Sequence, residues 1–137
     1  MRPRLILIAA CLASTLAFAA PPPDPNAWTP DQDSVAKVDA MALKFDLPAE
    51  FGAITAYARY YGGTVIDGKR VIIGALITPQ IRKEDSGTVH IVTSTNIPAF
   101  ADGGCMFIYL TYDPEAGGIT QMRCNFELRP PPPPAKE

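Results

Sequence analysis

The apolar positions of this chain fall into one uninterrupted run, one helical stripe and a succession of strands. Residues 5–19 are apolar or small throughout. The next pattern follows Thr29-Pro30-Asp31-Gln32, where Val35, Val38, Met41, Ala42 and Phe45 recur at three- and four-residue spacing, which predicts an amphipathic helix. Thr29 is expected as its N-cap, Pro30 at the first helical position and Gln32 in a capping box, with the end before Pro48.

From there the period changes to that of extended chain. A long strand is expected from about Ile54 to Ile66, with Gly62-Gly63 marking a bulge or bend; the segment around Glu50 also suits a helical turn. Asp67-Gly68 is a hairpin signal leading into a strand over 69–78. Residues 79–87 are charged and read as an exposed loop, 88–94 as a third strand, and 95–104 as a long irregular connection. Residues 105–112 are apolar on both faces, as a central strand requires. The last strand, 119–128, alternates, with Met122, Cys124, Phe126 and Leu128 inward and Gln121, Arg123, Asn125 and Glu127 outward. Cys105, Phe107 and Tyr109 are then expected on the same buried face.

The sum is an α+β domain: one N-terminal amphipathic helix packed on a twisted antiparallel sheet of about five strands in a meander, loosely cystatin-like or NTF2-like in element order. If the final turn is centred between Pro114 and Glu115, Cys105 lies directly opposite Cys124, and the two should form a cross-strand disulfide. Closing so short a loop contributes about 3 kcal/mol.

The basic start Met1-Arg2-Pro3-Arg4, the apolar run and Ala17-Phe18-Ala19 have the three-part form of a secretory signal peptide cleaved after Ala19. That divides the chain into a leader at 1–19, a proline-rich linker at 20–27, one domain at 28–128 and a proline-rich tail at 129–137. An exported, periplasmic or secreted location follows, and the even cysteine count left after cleavage suits it. Ile8-Ala9-Ala10-Cys11 also fits a lipoprotein signal, an alternative in which Cys11 is lipidated. The run is too short for a spanning helix.

Charge excludes one class of partner. The chain carries 12 basic and 14 acidic side chains, scattered in sign, and the leader takes Arg2 and Arg4 with it. No basic patch for nucleic acid or an anionic membrane results. Zinc-type spacings, phosphate-binding glycine motifs and a nucleophile elbow are lacking in the sequence, so neither metal nor cofactor is expected.

Candidate chemistry narrows to few residues. Tyr57, Arg59 and Tyr61 alternate onto one face of the first strand, a composition that binding surfaces favour, although tyrosines also simply suit a half-buried strand. His90 is the single histidine; with an acid such as Asp67 or Asp102 it would form an acid/base pair. Asp102 precedes two glycines in the long loop, and a turn explains it equally well. Together, Tyr57-Ala58-Arg59-Tyr60-Tyr61, Asp67-Gly68-Lys69-Arg70, Val89-His90-Ile91-Val92, Asp102-Gly103-Gly104-Cys105, Tyr112-Asp113 and Cys124-Asn125 resemble small exported proteobacterial proteins of unassigned function. That resemblance implies an envelope setting and supplies no catalytic residues. The expected role is a non-enzymatic module that binds an envelope protein or a small ligand. A small NTF2-like enzyme using His90 and a structural envelope protein are the alternatives.

Overall fold

The computed structural model describes residues 22–125. The leader, the lipoprotein motif at Cys11, the proline-rich tail and the inward positions Phe126 and Leu128 lie outside the described residues. The chain forms one α-helix, α1 (Gln32–Ala42), and five strands, β1 (Ala58–Ile66), β2 (Lys69–Ile77), β3 (Val89–Ile91), β4 (Gly104–Asp113) and β5 (Gly118–Asn125). The expected α+β class is present. The helix is internal rather than N-terminal: Trp28 already bridges to Gly63 of β1 before α1 begins.

The cap of α1 is Asp31 and not Thr29. Asp31 Oδ1 accepts the Ser34 N–H at 2.8 Å and its Oδ2 accepts the Ser34 hydroxyl at 2.8 Å. These bonds, the backbone one foremost, hold the Asp31 carboxyl below its usual range. A carboxylate outcompetes a threonine hydroxyl for the free N–H groups because it is charged. The buried stripe is Val35, Val38 and Ala42; Met41 faces solvent. Beyond Ala42 the bonds tighten to the i, i+3 type, Lys44 N–H to Met41 and Phe45 N–H to Ala42. That turn sends Leu43, Phe45 and Leu47 back onto the core.

The long first strand is shorter than expected, with 3₁₀ turns at Ala49–Phe51 and Ile54–Ala56 before β1. The β1–β2 hairpin turns at Asp67 and Gly68, both with positive φ (51° and 77°), the type I′ geometry that matches strand twist. No bulge occurs at Gly62-Gly63, which keep register with Ile73 and Ile72. Their use is close approach from opposite faces. A Cβ at Gly63 would fall 2.3 Å from the Trp28 ring, and one at Gly62 would fall 2.9 Å from the Ser94 nitrogen.

The sheet order is β3-β1-β2-β4-β5, and β3 runs parallel to β1, so the meander is corrected. The cause is geometric. β2 ends beside Ala58, the start of β1. The 78–88 connection passes to the free side of β1 at that same end, and the strand that follows has to run with β1. The chain then crosses the sheet over Gly62 and descends through 94–103 to β4.

Two cores result. Facing α1 are Tyr57, Tyr61, Ile72, Leu76, Ile108, Leu110 and Tyr112, with Met122 and Cys124 packed against them. On the other face Ala58, Tyr60, Ile77 and Phe107 meet Val92, Phe100 and Tyr109. Phe107 and Tyr109 therefore do not share the helix-side core with Met122, contrary to the alternation argument. The final turn is centred between Glu115 and Ala116, closing Asp113 on Gly118, and two register shifts follow. Near the second, β4 advances from Gly104 to Ile108 while β5 advances only from Asn125 to Cys124. That shift restores the Cys105–Cys124 pairing, with Cα atoms 4.4 Å apart, and reverses which β4 side chains face the helix.

Candidate functional site

The residues expected to form an exposed aromatic and arginine face are interior. Tyr57 and Tyr61 are fully buried and Arg59 nearly so. The Tyr57 hydroxyl donates to the Cys105 carbonyl at 2.8 Å. Asp39, one turn before the end of α1, accepts from Arg59 Nε at 2.7 Å and from the Tyr61 hydroxyl at 2.7 Å. Arg59 Nη1 also donates to the carbonyls of Tyr57 and Thr55. Burial first, and then the bond to Asp39, push the Tyr61 phenol far above its usual value. This network joins helix to sheet, and its polar atoms are occupied internally, so β1 offers no free binding surface here.

His90 lies on the opposite face, half-exposed, stacked on the Tyr60 ring with centroids 4.6 Å apart. The nearest acid is Asp85, 3.9 Å from Nε2, and not Asp67 or Asp102. Asp67 is spent on the hairpin turn. Asp102 is exposed; its Oδ1 accepts the Gly103 N–H at 2.7 Å, and its carbonyl accepts from the Asn125 amide. Asp85 Oδ2 accepts the Tyr60 hydroxyl at 2.6 Å, and Arg82 lies 3.3 Å from the same hydroxyl. The Tyr60 bond, foremost, holds the Asp85 carboxyl below its usual range, while burial raises the Tyr60 phenol.

The His90 tautomer follows from its neighbour. Thr88 Oγ1 donates its one hydrogen to the Asp85 carbonyl at 2.5 Å, so its 2.7 Å contact with His90 requires an Nε2–H donor. Nε2 is therefore occupied by that bond. The cluster fastens the 79–88 connection to the sheet. Among the described residues no third carboxylate, histidine or cysteine joins Asp85 and His90 in a metal-binding group.

A cavity of about 330 Å³ opens on the same face of the sheet as His90, where the covering segment leaves β2 and β4 unfilled. Its floor is Ile73, Tyr109 and Thr111, its roof Ser94, Ile97, Pro98 and Ala99, and its side Gln121 and Arg123. Gly62 creates the roof, because only a residue without a Cβ lets 92–94 cross this close to β1. Tyr109 fixes its far end by accepting the Phe100 N–H at 2.8 Å. The Ser94 hydroxyl is buried and has no hydrogen-bond partner among the described residues. Leaving such a group unmatched costs about 1–3 kcal/mol.

Two other hollows are present among the described residues. One of about 530 Å³ lies between α1 and β3, but its charged group, Asp39, is already bonded by Arg59 and Tyr61. The other, about 520 Å³, is bounded by Trp28, on which Arg70 stacks, and by the α1 cap.

Asp39, Asp85, Ser94 and the roof were not singled out by sequence reasoning. Asp39 borders the helical stripe and could have been found by asking which acid neutralises an arginine on an otherwise apolar strand face. Ser94 gives no comparable signal. No protein-family model matches the chain, and comparisons with curated proteins and with solved structures find no match.

Proposed function

We propose that this protein is an exported, non-enzymatic binding module of the bacterial cell envelope, and that it holds a small ligand in the cavity between β2, β4 and the 94–99 roof. The observation that carries the reading is the cavity itself: roofed, largely apolar and within the range of small-ligand sites, about 300–1,000 Å³. The disulfide is compatible with an oxidising compartment. Among the described residues no helix is long and apolar enough to cross a membrane. The likeness to small exported proteobacterial proteins and to cystatin-like or NTF2-like shapes belongs to this proposal.

A fragment screen by two-dimensional NMR tests it. Hits that shift the amides of Ser94, Ile97, Ala99 and Thr111 are expected. Hits confined to other surfaces, or no hits at millimolar concentration, contradict it. The enzymatic alternative rests on the 3.9 Å approach of His90 to Asp85. In the binding reading His90→Gln leaves the affinity of every cavity hit unchanged.

A further inference from the structure

The binding reading leaves open what chemical class the cavity takes, and its lining narrows the choice. Among the described residues Arg123 is the one charged residue bounding the cavity, and no aspartate or glutamate lines it. The ion pairs of the described residues are Arg59–Asp39, Arg82–Asp85 and His90–Asp85, so Arg123 has no carboxylate within 4.0 Å among them. It projects from the outward face of β5, opposite Tyr109 of β4 in the register that places Gln121 opposite Thr111. The site thus has a cationic, hydrogen-bonding side formed by Arg123, Gln121 and Thr111. Its apolar part is formed by Ile73, Ile97 and Pro98.

From this we infer that the ligand is a small organic anion, a carboxylate on a single ring or a short branched chain, with its charged end on Arg123 and its body on Ile73, Ile97 and Pro98. Guanidinium is the cation best shaped for a carboxylate, which it meets through two parallel N–H donors. The field of a cation at the mouth disfavours an amine of the same size. The volume is at the low end for ligand sites, which suits a small ligand. The inference rests on the cavity being the binding site.

Three isosteric probes separate the two claims. Benzoate, benzamide and benzylamine are titrated into the purified full-length protein while the amides of Ser94, Ile97, Ala99 and Thr111 are followed. Benzoate should bind about tenfold more tightly than benzamide, the scale of one charge-assisted pair at a partly exposed site, and benzylamine should not shift these amides. Arg123→Gln should reduce benzoate to the affinity of benzamide. Lys83→Gln, which removes an exposed cation elsewhere, should leave it unchanged. Equal binding of benzoate and benzamide, or equal loss in both variants, overturns the anion inference while the cavity reading stands. If no probe shifts these amides but neutral fragments do, the anion inference again fails alone. If neither probes nor fragments shift them, both fail.

Discussion

Removing the Asp39 carboxylate is the perturbation whose cost the structure sets most tightly. Asp39 is 15 % exposed and Arg59 8 %, so Asp39→Ala leaves a buried guanidinium without its anion and the Tyr61 hydroxyl without its acceptor. Breaking a buried pair from one side costs about 3–5 kcal/mol. The expected value is near the lower end, about 3 kcal/mol, because Arg59 Nη1 keeps its bonds to the Tyr57 and Thr55 carbonyls. With a urea m-value of about 1–2 kcal/mol/M for a small domain, the unfolding midpoint should fall by roughly 1.5–3 M. Trp28 is the only tryptophan and packs on the helix-side core, so its fluorescence reports the transition directly. Replacing both partners, Asp39→Leu with Arg59→Met, should recover part of the loss, since the desolvation of both charges disappears with the pair while the Tyr61 hydroxyl stays without its acceptor. A midpoint for Asp39→Ala within the error of wild type, or a double variant no more stable than the single, would refute the buried-network argument.

Other consequences are independently measurable. Gly62→Ala pushes a Cβ against the backbone of 92–94. It should cost about 1–3 kcal/mol in urea unfolding and shift the amides of Ser94 and Ile97; a neutral variant would mean that the roof is free to move away. Replacing both Cys105 and Cys124 by serine should destabilise the domain by about 3 kcal/mol, read as a lower urea midpoint. An unchanged midpoint would show that the hairpin holds without the bridge. At alkaline pH the sign follows from Tyr61. Its folded-state phenol keeps its proton above the usual value of 10.0, so the unfolded chain ionises first. Stability is complete below about pH 10 and falls above it by about 1.4 kcal/mol per pH unit from this group. Tyr61→Phe should remove that slope, and a slope unchanged by the substitution would contradict the burial argument.

What the sequence made legible was local. The Asp67-Gly68 hairpin, the Val35, Val38 and Ala42 stripe, the strand periods of β2, β4 and β5, and the paired cysteines all follow from spacing alone. What stayed hidden depends on contacts between distant segments. Gly62 and Gly63 read as a bend because a sequence does not show that Ser94 and Trp28 lie against them. β3 read as one more antiparallel strand because the side of β1 to which 78–88 returns is a tertiary choice. The face of Phe107 was misassigned because a displaced turn centre and two register shifts between β4 and β5 together preserve the disulfide while inverting the alternation. Arg59 and Tyr61 share one face of β1, with Tyr57 just before the strand packed on the same side, yet the presence of Asp39 across that face turns a candidate surface into an interior network. The cavity was not legible at all, since its roof is an irregular segment with no period.

The central claim is that the cavity under the 94–99 roof is the ligand site. Its most direct test is the set of nuclear Overhauser contacts made by bound benzoate. Contacts from the ring protons to the methyl groups of Ile73 and Ile97 are expected. Contacts instead to Tyr60 and His90, or to Val35 and Val89 in the α1–β3 hollow, would contradict it.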